Sequence, residues 1–358
     1  MNLESTLLDD VFDASWLMQQ HYDPVRYVVN GVIPEGLTML VAAPKIGKSW
    51  MVLGLGLGLA DGSDVFGTIP AGDQRPTLYL ALEDGPRRLQ SRLRALGASA
   101  PSHNLMFLTT VPKGDIVAAA TEFVGIHAGR APIVIIDTLG KVMPPAVGGE
   151  SAYERDYRVG SALKAIADSV PGASVIVVHH SRKADASDFL DAVSGTQGLA
   201  GSADTILVLK RERHEKSATL HVTSRDAAEG EYALRIEGNG TWVLDGADLE
   251  EASSRAQLNR STAGVGDRMA EVIAKIDQYP EGVTPRDLAP LLGMSNDEVG
   301  KYLRRAAESG RVLRTARGRY TPVRSVRLSE AQDLFGHSDG SDTPHQRLPE
   351  EPDRRGER

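Results

Sequence analysis

The fold is decided by residues 37–60, which read LTMLVAAPKIGKSWMVLGLGLGLA. Residues 37–42 form a short apolar run typical of a buried strand, and the apolar run after GKS has the length of a helix. The loop between them carries Gly47, Lys48 and Ser49. In such a loop the backbone N–H groups surround phosphates, the lysine reaches the β- and γ-phosphates, and the serine hydroxyl can ligate Mg²⁺. This stretch therefore predicts a nucleotide site at a strand–loop–helix junction.

This loop departs from the usual G-x-x-x-x-G-K-S pattern at one position, where Ala42 replaces the first glycine. The preceding strand and GKS are retained, so the prediction of ATP binding stands. The alternative is a glycine-rich turn with a surface lysine. The residues predicted to contact the nucleotide are Ala43, Pro44, Lys45, Ile46, Gly47, Lys48, Ser49 and Trp50.

Four further short apolar runs, each followed by polar or turn residues, alternate with helical segments over residues 1–249. They are residues 77–82, 133–137, 174–179 and 205–209. Strands buried on both faces and separated by helices predict an α/β fold with a mostly parallel sheet. After residue 209 the runs alternate between apolar and polar residues, which predicts antiparallel edge strands at 218–224, 232–237 and 241–244.

Acidic residues follow two of these runs, at the sheet edge where α/β proteins bind ligands. Glu83 is predicted to polarise a water for attack on the γ-phosphate, and Asp137 is predicted to hold Mg²⁺ together with Ser49. For Asp84, a functional role and a helix-capping role are equally open, because Pro86 is typical of a first helical turn.

Two histidines end the fourth run. Adjacent residues of a strand point to opposite faces, so at most one of His179 and His180 is expected to face the γ-phosphate as a polar sensor. The other is expected to be a hydrogen-bonded core residue. The pair does not predict a zinc site, since it lacks companions at ligand spacing.

Five stretches, VAAPKIGKSW, LYLALEDGPRRLQSRL, VIIDTLG, VIVVHHSRK and LHVTSRD, occur in the order found in RecA-like P-loop ATPases. Over about residues 25–245 the chain resembles the RepA-type and DnaB-type hexameric helicase branch. The resemblance implies Walker A contacts at Lys48 and Ser49, a catalytic glutamate at Glu83, a Walker B aspartate at Asp137 and a sensor at His180.

The resemblance also implies that Arg225 is an arginine finger acting on ATP in the neighbouring subunit. A fixed guanidinium can stabilise charge on the transferring phosphoryl group. Lys210 and Arg211 are rival candidates, and a surface salt bridge is the alternative for all three.

An arginine finger shared between subunits implies a homo-oligomer, in this branch a hexamer, with single-stranded DNA in a central channel. The loops at 140–155 and 181–198 would face that channel. Arg182 and Lys183 in the second loop are candidate phosphate contacts; the alternative is a solvated loop.

The C-terminal third contains a second predicted domain. Residues 250–264 are predicted to be a linker, residues 265–324 a small winged helix-turn-helix domain, and residues 325–358 a disordered tail. Bases outnumber acids between residues 301 and 324, which favours binding of DNA, with duplex DNA as one candidate, over a protein-binding winged helix with a solvated basic face. The candidate contacts are Arg304, Arg305, Arg314, Arg317 and Arg319.

Composition narrows the function classes. The net charge of −8 means that DNA binding must depend on local basic patches. Cysteine is absent, apolar runs are too short to cross a membrane, and the first ten residues do not form a secretory signal, so we expect a cytoplasmic protein without membrane contact.

The sequence favours an ATP-dependent DNA motor, a ring helicase in plasmid or phage replication. Two alternatives stay open: a recombinase-like or regulatory ATPase that assembles on DNA without unwinding it, and a binding protein that uses ATP as an assembly switch. A small-molecule kinase is disfavoured, because the sequence shows no evident acceptor pocket.

Overall fold

The computed structural model describes residues 11–112, 114–141, 143–180, 197–212 and 215–323. Arg182 and Lys183, most of the predicted channel loop 181–198 and the predicted tail 325–358 lie outside these residues.

Within the described residues, nine strands form one sheet in the spatial order β11-β10-β9-β8-β3-β7-β6-β4-β5. A short antiparallel pair, β1 (Tyr27–Val29) and β2 (Ile33–Pro34), precedes it. The sheet strands are β3 (Gly36–Ala42), β4 (Thr77–Ala81), β5 (Leu105–Leu108), β6 (Ile133–Asp137), β7 (Ser174–His180), β8 (Thr205–Lys210), β9 (Ser217–Ser224), β10 (Gly230–Ile236) and β11 (Trp242–Leu244).

The order of the strands puts β3 at the centre, between β7 and β8. Strands β3 to β8 pair in parallel, and β9, β10 and β11 add an antiparallel edge. This is the mostly parallel RecA-like P-loop fold with antiparallel edge strands that the sequence predicts. The carboxyl ends of the parallel strands meet at one edge, where ligands bind in such folds.

Helices cover both faces of the sheet. They are α2 (Lys48–Asp61), α3 (Pro86–Ala95), α4 (Ile116–Ile126), α5 (Ala152–Asp168), α6 (Gln197–Ser202) and α7 (Leu249–Thr262). The short helix α1 (Ala14–Gln19) precedes the sheet and buries none of its residues. Because side chains alternate along a strand, Leu40 and Ala42 of β3 join the core beneath α2, whereas Leu37, Met39 and Val41 join the core beneath α4 and α5. The central strand is thus buried on both faces.

Most predicted strands are confirmed to within two residues, but a helix stands where the linker at 250–264 was predicted. Helix α7 begins after Asp248, whose side chain accepts from the Glu251 N–H. It buries only Ala252 and Ala256, and such small apolar residues give a weak helical pattern. The segment predicted as a linker is therefore helical over most of its length.

Residues 267–322 form α8 (Asp267–Asp277), α9 (Pro285–Leu292), α10 (Asn296–Glu308) and the hairpin β12 (Val312–Ala316)–β13 (Arg319–Pro322). This is the element order of the predicted winged helix. These elements pack around an apolar cluster of their own. Val283 forms an antiparallel β-bridge with Tyr320 of the hairpin. Within the described residues, every helix is too short or too polar to cross a bilayer.

Candidate nucleotide-binding site

The loop between β3 and α2 has the conformation that its sequence requires. Gly47 caps α2 with a φ of 103°, a left-handed conformation that glycine adopts without strain. Helix α2 begins at Lys48, so its unpaired N-terminal N–H groups point into the loop. A helix N-terminus that follows a turn of this kind is suited to anions.

Lys48 is buried at the base of the loop, with 5% of its surface exposed. Its Nζ donates to the carbonyl oxygens of Ala42 at 2.9 Å and Ala43 at 2.7 Å. Burial lowers the pKa of the ammonium to about 8, whereas Asp137 and Glu83 act in the opposite direction. The lysine thus lies between the loop and the acidic ends of β4 and β6.

Asp137 ends β6 and is almost fully buried. Its Oδ2 accepts from the Tyr79 hydroxyl at 2.7 Å, and its buried Oδ1 lacks a hydrogen-bond partner among the described residues. Burial raises the pKa of the carboxyl, while hydrogen bonds from Tyr79 and Ser49 lower it. Tyr79 therefore fixes the carboxylate beside the hydroxyl of Ser49.

Ser49 and Asp137 fit a Mg²⁺ ion bound together with a nucleotide. Mg²⁺ keeps several waters and is usually held by one or two carboxylates plus substrate phosphates. The Ser49 hydroxyl and the buried Asp137 carboxylate, whose Oδ1 has no hydrogen-bond partner among the described residues, could supply such ligands. Within the described residues, clusters of three or more His, Asp or Glu suited to a metal are absent, so phosphates and water would have to complete the shell.

Glu83 lies just beyond β4, close to Asp137. Its Oε1 accepts from the Thr138 hydroxyl at 3.2 Å and lies 3.9 Å from Nε2 of His180. The Glu83 side chain is 37% exposed, so a water can reach it. This places a carboxylate in position to orient a nucleophilic water.

His180 is the histidine of the pair that faces the acidic cluster. Burial and the nearby Lys48 lower its pKa, while Glu83 and Asp137 oppose that shift. The imidazole is therefore neutral at pH 7, since its ordinary pKa is already below 7. His179 precedes it on β7 and points to the other face of the sheet.

Asp84 does not cap α3, because Gly85 occupies the N-cap position and Pro86 the first turn. The buried Asp84 carboxylate instead pairs with Arg88 at 2.7 Å and with Arg92. Capping and catalysis were the two roles expected for Asp84, and this ion pair was not predicted. Arginines four and eight residues downstream on one helix face were the available signal.

Arg225 lies far from the nucleotide site of its own chain. It follows Ser224, which pairs with Thr205 at the start of β8, whereas Lys210 ends β8 at the nucleotide edge. At about 3.3 Å per residue, the length of β8 separates these two positions by roughly 17 Å. The Arg225 guanidinium lies 3.6 Å from Asp204 Oδ1 and donates to the Gly201 carbonyl at 3.2 Å.

Lys210 and Arg211 are the other two candidates for the arginine finger. Arg211 contacts the phosphate-binding loop of its own chain. Its Nη1 donates to the Ile46 carbonyl at 3.0 Å. This contact does not favour a role for Arg211 in a neighbouring subunit.

Residues 4–186 match the AAA domain family, about half of the chain. The chain belongs to the AAA domain family. The matched segment contains Lys48, Ser49, Glu83, Asp137 and His180 and ends before Arg225. The predicted RecA-like P-loop ATPase is thereby confirmed at the level of the family and the fold, and membership supports ATPase activity.

Three solved structures resemble this AAA domain protein in fold. The first is an ATPase domain that is 18% identical and covers 59% of this chain and 85% of its own, with a TM-score of 0.49. A DnaB-like replicative helicase is 18% identical, with coverages of 58% and 57% and a TM-score of 0.47. A KaiC-like protein from the archaeon Pyrococcus horikoshii OT3 is 14% identical, with coverages of 62% and 100% and a TM-score of 0.44.

Within this AAA domain, the structure brings five predicted residues together. Glu83, Asp137 and His180 lie at the carboxyl ends of β4, β6 and β7, beside Lys48 and Ser49 at the start of α2. The ring of Trp50, a predicted nucleotide contact, lies below the Arg92 guanidinium, 5.3 Å from the ring centroid. Gly240 packs so closely on the other part of this ring that a side chain there would collide.

The predicted DNA-contacting arginines of the C-terminal elements lie on one helix and one hairpin, and all are exposed. They are Arg304 and Arg305 on α10, and Arg314, Arg317 and Arg319 on or beside the β12–β13 hairpin. Arg311 also belongs to the basic segment 301–324, but it points toward the protein and donates to the carbonyls of Ser261 and Ala263 at the end of α7. It therefore attaches these elements to α7.

Proposed function

We propose that this protein is an ATP-dependent DNA motor, a RepA/DnaB-type ring helicase that acts in plasmid or phage replication. The observation that carries the proposal is the separation of two groups of residues. Lys48, Glu83 and Asp137 meet at one edge of the sheet, while Arg225 lies at the opposite edge. A complete hydrolytic site then needs a second subunit.

In the proposed hydrolysis, Lys48 gives up its hydrogen bonds to the Ala42 and Ala43 carbonyls and donates to the phosphates of ATP. Ser49 and Asp137 would hold Mg²⁺, which neutralises charge on the phosphate oxygens. Glu83 orients the attacking water, and the Thr138 hydroxyl holds that carboxylate in place.

His180 gives this site a means of sensing the nucleotide. Its Nε2 lies near Glu83, and its buried Nδ1 lacks a hydrogen-bond partner in the described part of the chain. A change in Glu83 as the γ-phosphate is lost would alter the contact with His180 at the end of β7. The predicted channel loop 181–198 begins directly after it.

Assembly follows from the position of Arg225. This arginine is 61% exposed and too distant to reach the ATP of its own chain. In a closed ring, one face of each subunit meets a different face of the next, so a residue far from its own site can complete the site of a neighbour. We propose a hexamer with single-stranded DNA in its channel.

The motor proposal is tested by measuring the ATPase rate against protein concentration, with and without single-stranded DNA. We expect the rate per subunit to rise as subunits assemble and to rise again with single-stranded DNA, and the protein to displace a strand from a forked duplex. Lys48→Ala provides the background rate. An ATPase that single-stranded DNA does not change, together with no strand displacement, would contradict the proposal.

A second candidate is an ATPase that assembles on DNA as a recombinase or as a regulator of replication or transcription, without unwinding. The exposed arginines of α10 and the β12–β13 hairpin favour it, because a helix beside a hairpin is suited to duplex DNA. For this candidate, ATPase and DNA binding persist without strand displacement, and footprinting shows a protected duplex sequence.

The arginines of α10 give a direct test of duplex binding. We expect the double substitution Arg304→Ala/Arg305→Ala to weaken duplex binding and to reduce the slope of log K against log salt by about two, because each phosphate contact contributes about 0.9. Arg268→Ala is the matched control, since Arg268 is exposed on α8 and paired with Glu271. An unchanged slope would exclude α10 from the contact.

A further inference from the structure

Two side chains from the antiparallel edge of the sheet donate hydrogen bonds to the outside of the phosphate-binding loop. Arg211, just after β8, donates from Nη1 to the Ile46 carbonyl at 3.0 Å. Trp242, the first residue of β11, donates from Nε1 to the Gly47 carbonyl at 3.1 Å. The two acceptors are the carbonyl oxygens of consecutive loop residues.

The two donors are fixed by their own surroundings. The Arg211 guanidinium lies over the Trp242 ring, 5.8 Å from the ring centroid, and its Nε donates to the Glu215 carbonyl at 2.6 Å. Trp242 is only 4% exposed. A Cβ on Gly47 would lie 3.0 Å from the indole, so the ring closes directly over this glycine.

The direction of these carbonyls matters for phosphate binding. A phosphate-binding loop works by presenting backbone N–H groups, and a peptide flipped at this point would present a carbonyl oxygen to the phosphates instead. The Ile46 carbonyl precedes the first hydrogen bond of α2, which runs from Met51 to Gly47. The helix therefore does not hold the Ile46 peptide, and Arg211 does.

We propose that Arg211 and Trp242 are positioning residues for the ATP site of their own chain. They hold the peptides at Ile46 and Gly47 with the carbonyls turned toward the antiparallel edge, so that the loop is ordered before ATP binds. The inference rests on the proposed ATP binding, and it assigns Arg211 a role in its own subunit in place of the arginine-finger role.

The first test compares KM for ATP with kcat. We expect Trp242→Phe, which keeps an aromatic ring and loses the N–H donor, to raise KM about 3- to 10-fold. Arg211→Gln should raise KM about 10- to 100-fold, because hydrogen bonds from charged groups contribute more. The kcat at saturating ATP should stay within about twofold of wild type, because neither side chain touches the reacting atoms. Arg211→Lys, which keeps the charge, should recover part of the loss.

The controls separate positioning from general stability. Arg235→Gln removes a half-exposed arginine of β10 that pairs with Glu237 and Asp245 and not with the loop, and it should leave KM unchanged. Thermal melting of each variant identifies any that unfold. A folded Arg211→Gln and a folded Trp242→Phe with wild-type KM would overturn the inference, whereas wild-type protein that fails to bind ATP would overturn the proposed function instead.

Mixing Arg211→Gln with Lys48→Ala distinguishes the two roles of Arg211. If Arg211 acts in its own chain, one subunit type lacks the ordered loop and the other lacks the lysine, so no site is intact and the low-ATP rate does not recover. If Arg211 reaches the neighbouring subunit, an intact Lys48 meets an intact Arg211 at some interfaces. Recovery of activity in the mixture would overturn the inference.

Discussion

Glu83→Gln is expected to reduce the ATPase rate by about 100- to 10,000-fold while the affinity for Mg-ATP stays within a few-fold of wild type. The amide keeps the size of the side chain and can still accept from the Thr138 hydroxyl, which lies 3.2 Å from Oε1. It cannot take a proton from water. Binding should persist because Glu83 does not form part of the phosphate-binding loop.

The measurement pairs steady-state ATPase rates with calorimetric titration of Mg-ATP, using Glu122→Gln as control because Glu122 is exposed on α4. A Glu83→Gln protein that hydrolyses ATP within tenfold of the wild-type rate would show that another group orients the water. Asp84 would not be an easy replacement, since its carboxylate pairs with Arg88 and Arg92.

Arg225→Ala is expected to lower the ATPase rate of the assembled protein by about 1,000- to 100,000-fold, the effect of losing an arginine that stabilises a transferring phosphoryl group. We expect Arg225 to act on ATP bound by the neighbouring subunit because of where it lies in its own chain. Arg225 lies beside Asp204 and Gly201, at the end of the sheet opposite its own Lys48. The substitution should leave ATP binding by the same chain nearly unchanged.

A mixture of Arg225→Ala and Lys48→Ala subunits should regain activity, because some interfaces then join an intact Lys48 to an intact Arg225. With equal amounts mixed at random in a ring, about a quarter of the interfaces are complete. Arg260→Ala is the control, since Arg260 is an exposed arginine paired with Glu231. A mixture as inactive as its parents would contradict an active site shared through Arg225.

The central strands and the acidic edge of the site were predictable because local chemistry specifies them. Strand β6 is buried at every position and therefore reads as a continuous apolar run ending in Asp137. The GKS turn lies between a buried strand and a helix, which is the context that makes phosphate binding the specific interpretation. Residues that end parallel strands then meet at one edge through topology alone.

Contacts between distant parts of the chain could not be predicted in this way. Trp242 donates to Gly47 across 195 residues of sequence, and no periodic pattern connects the two. Helix α7 was missed because it buries only alanines. The Asp84 pairs are local in sequence, and the spacing of Arg88 and Arg92 was their only signal. The sequence thus indicated the candidate reacting groups but not the side chains that hold them.

Calorimetric titration of Mg-ATP into the wild-type protein and into Lys48→Ala tests the account most directly. We expect one nucleotide to bind per wild-type chain and the affinity of Lys48→Ala to fall about tenfold or more, as the loss of a charged hydrogen-bond donor implies. A folded wild-type protein that takes up no nucleotide, or equal affinities in the two proteins, would contradict the assignment of this sheet edge as the ATP site.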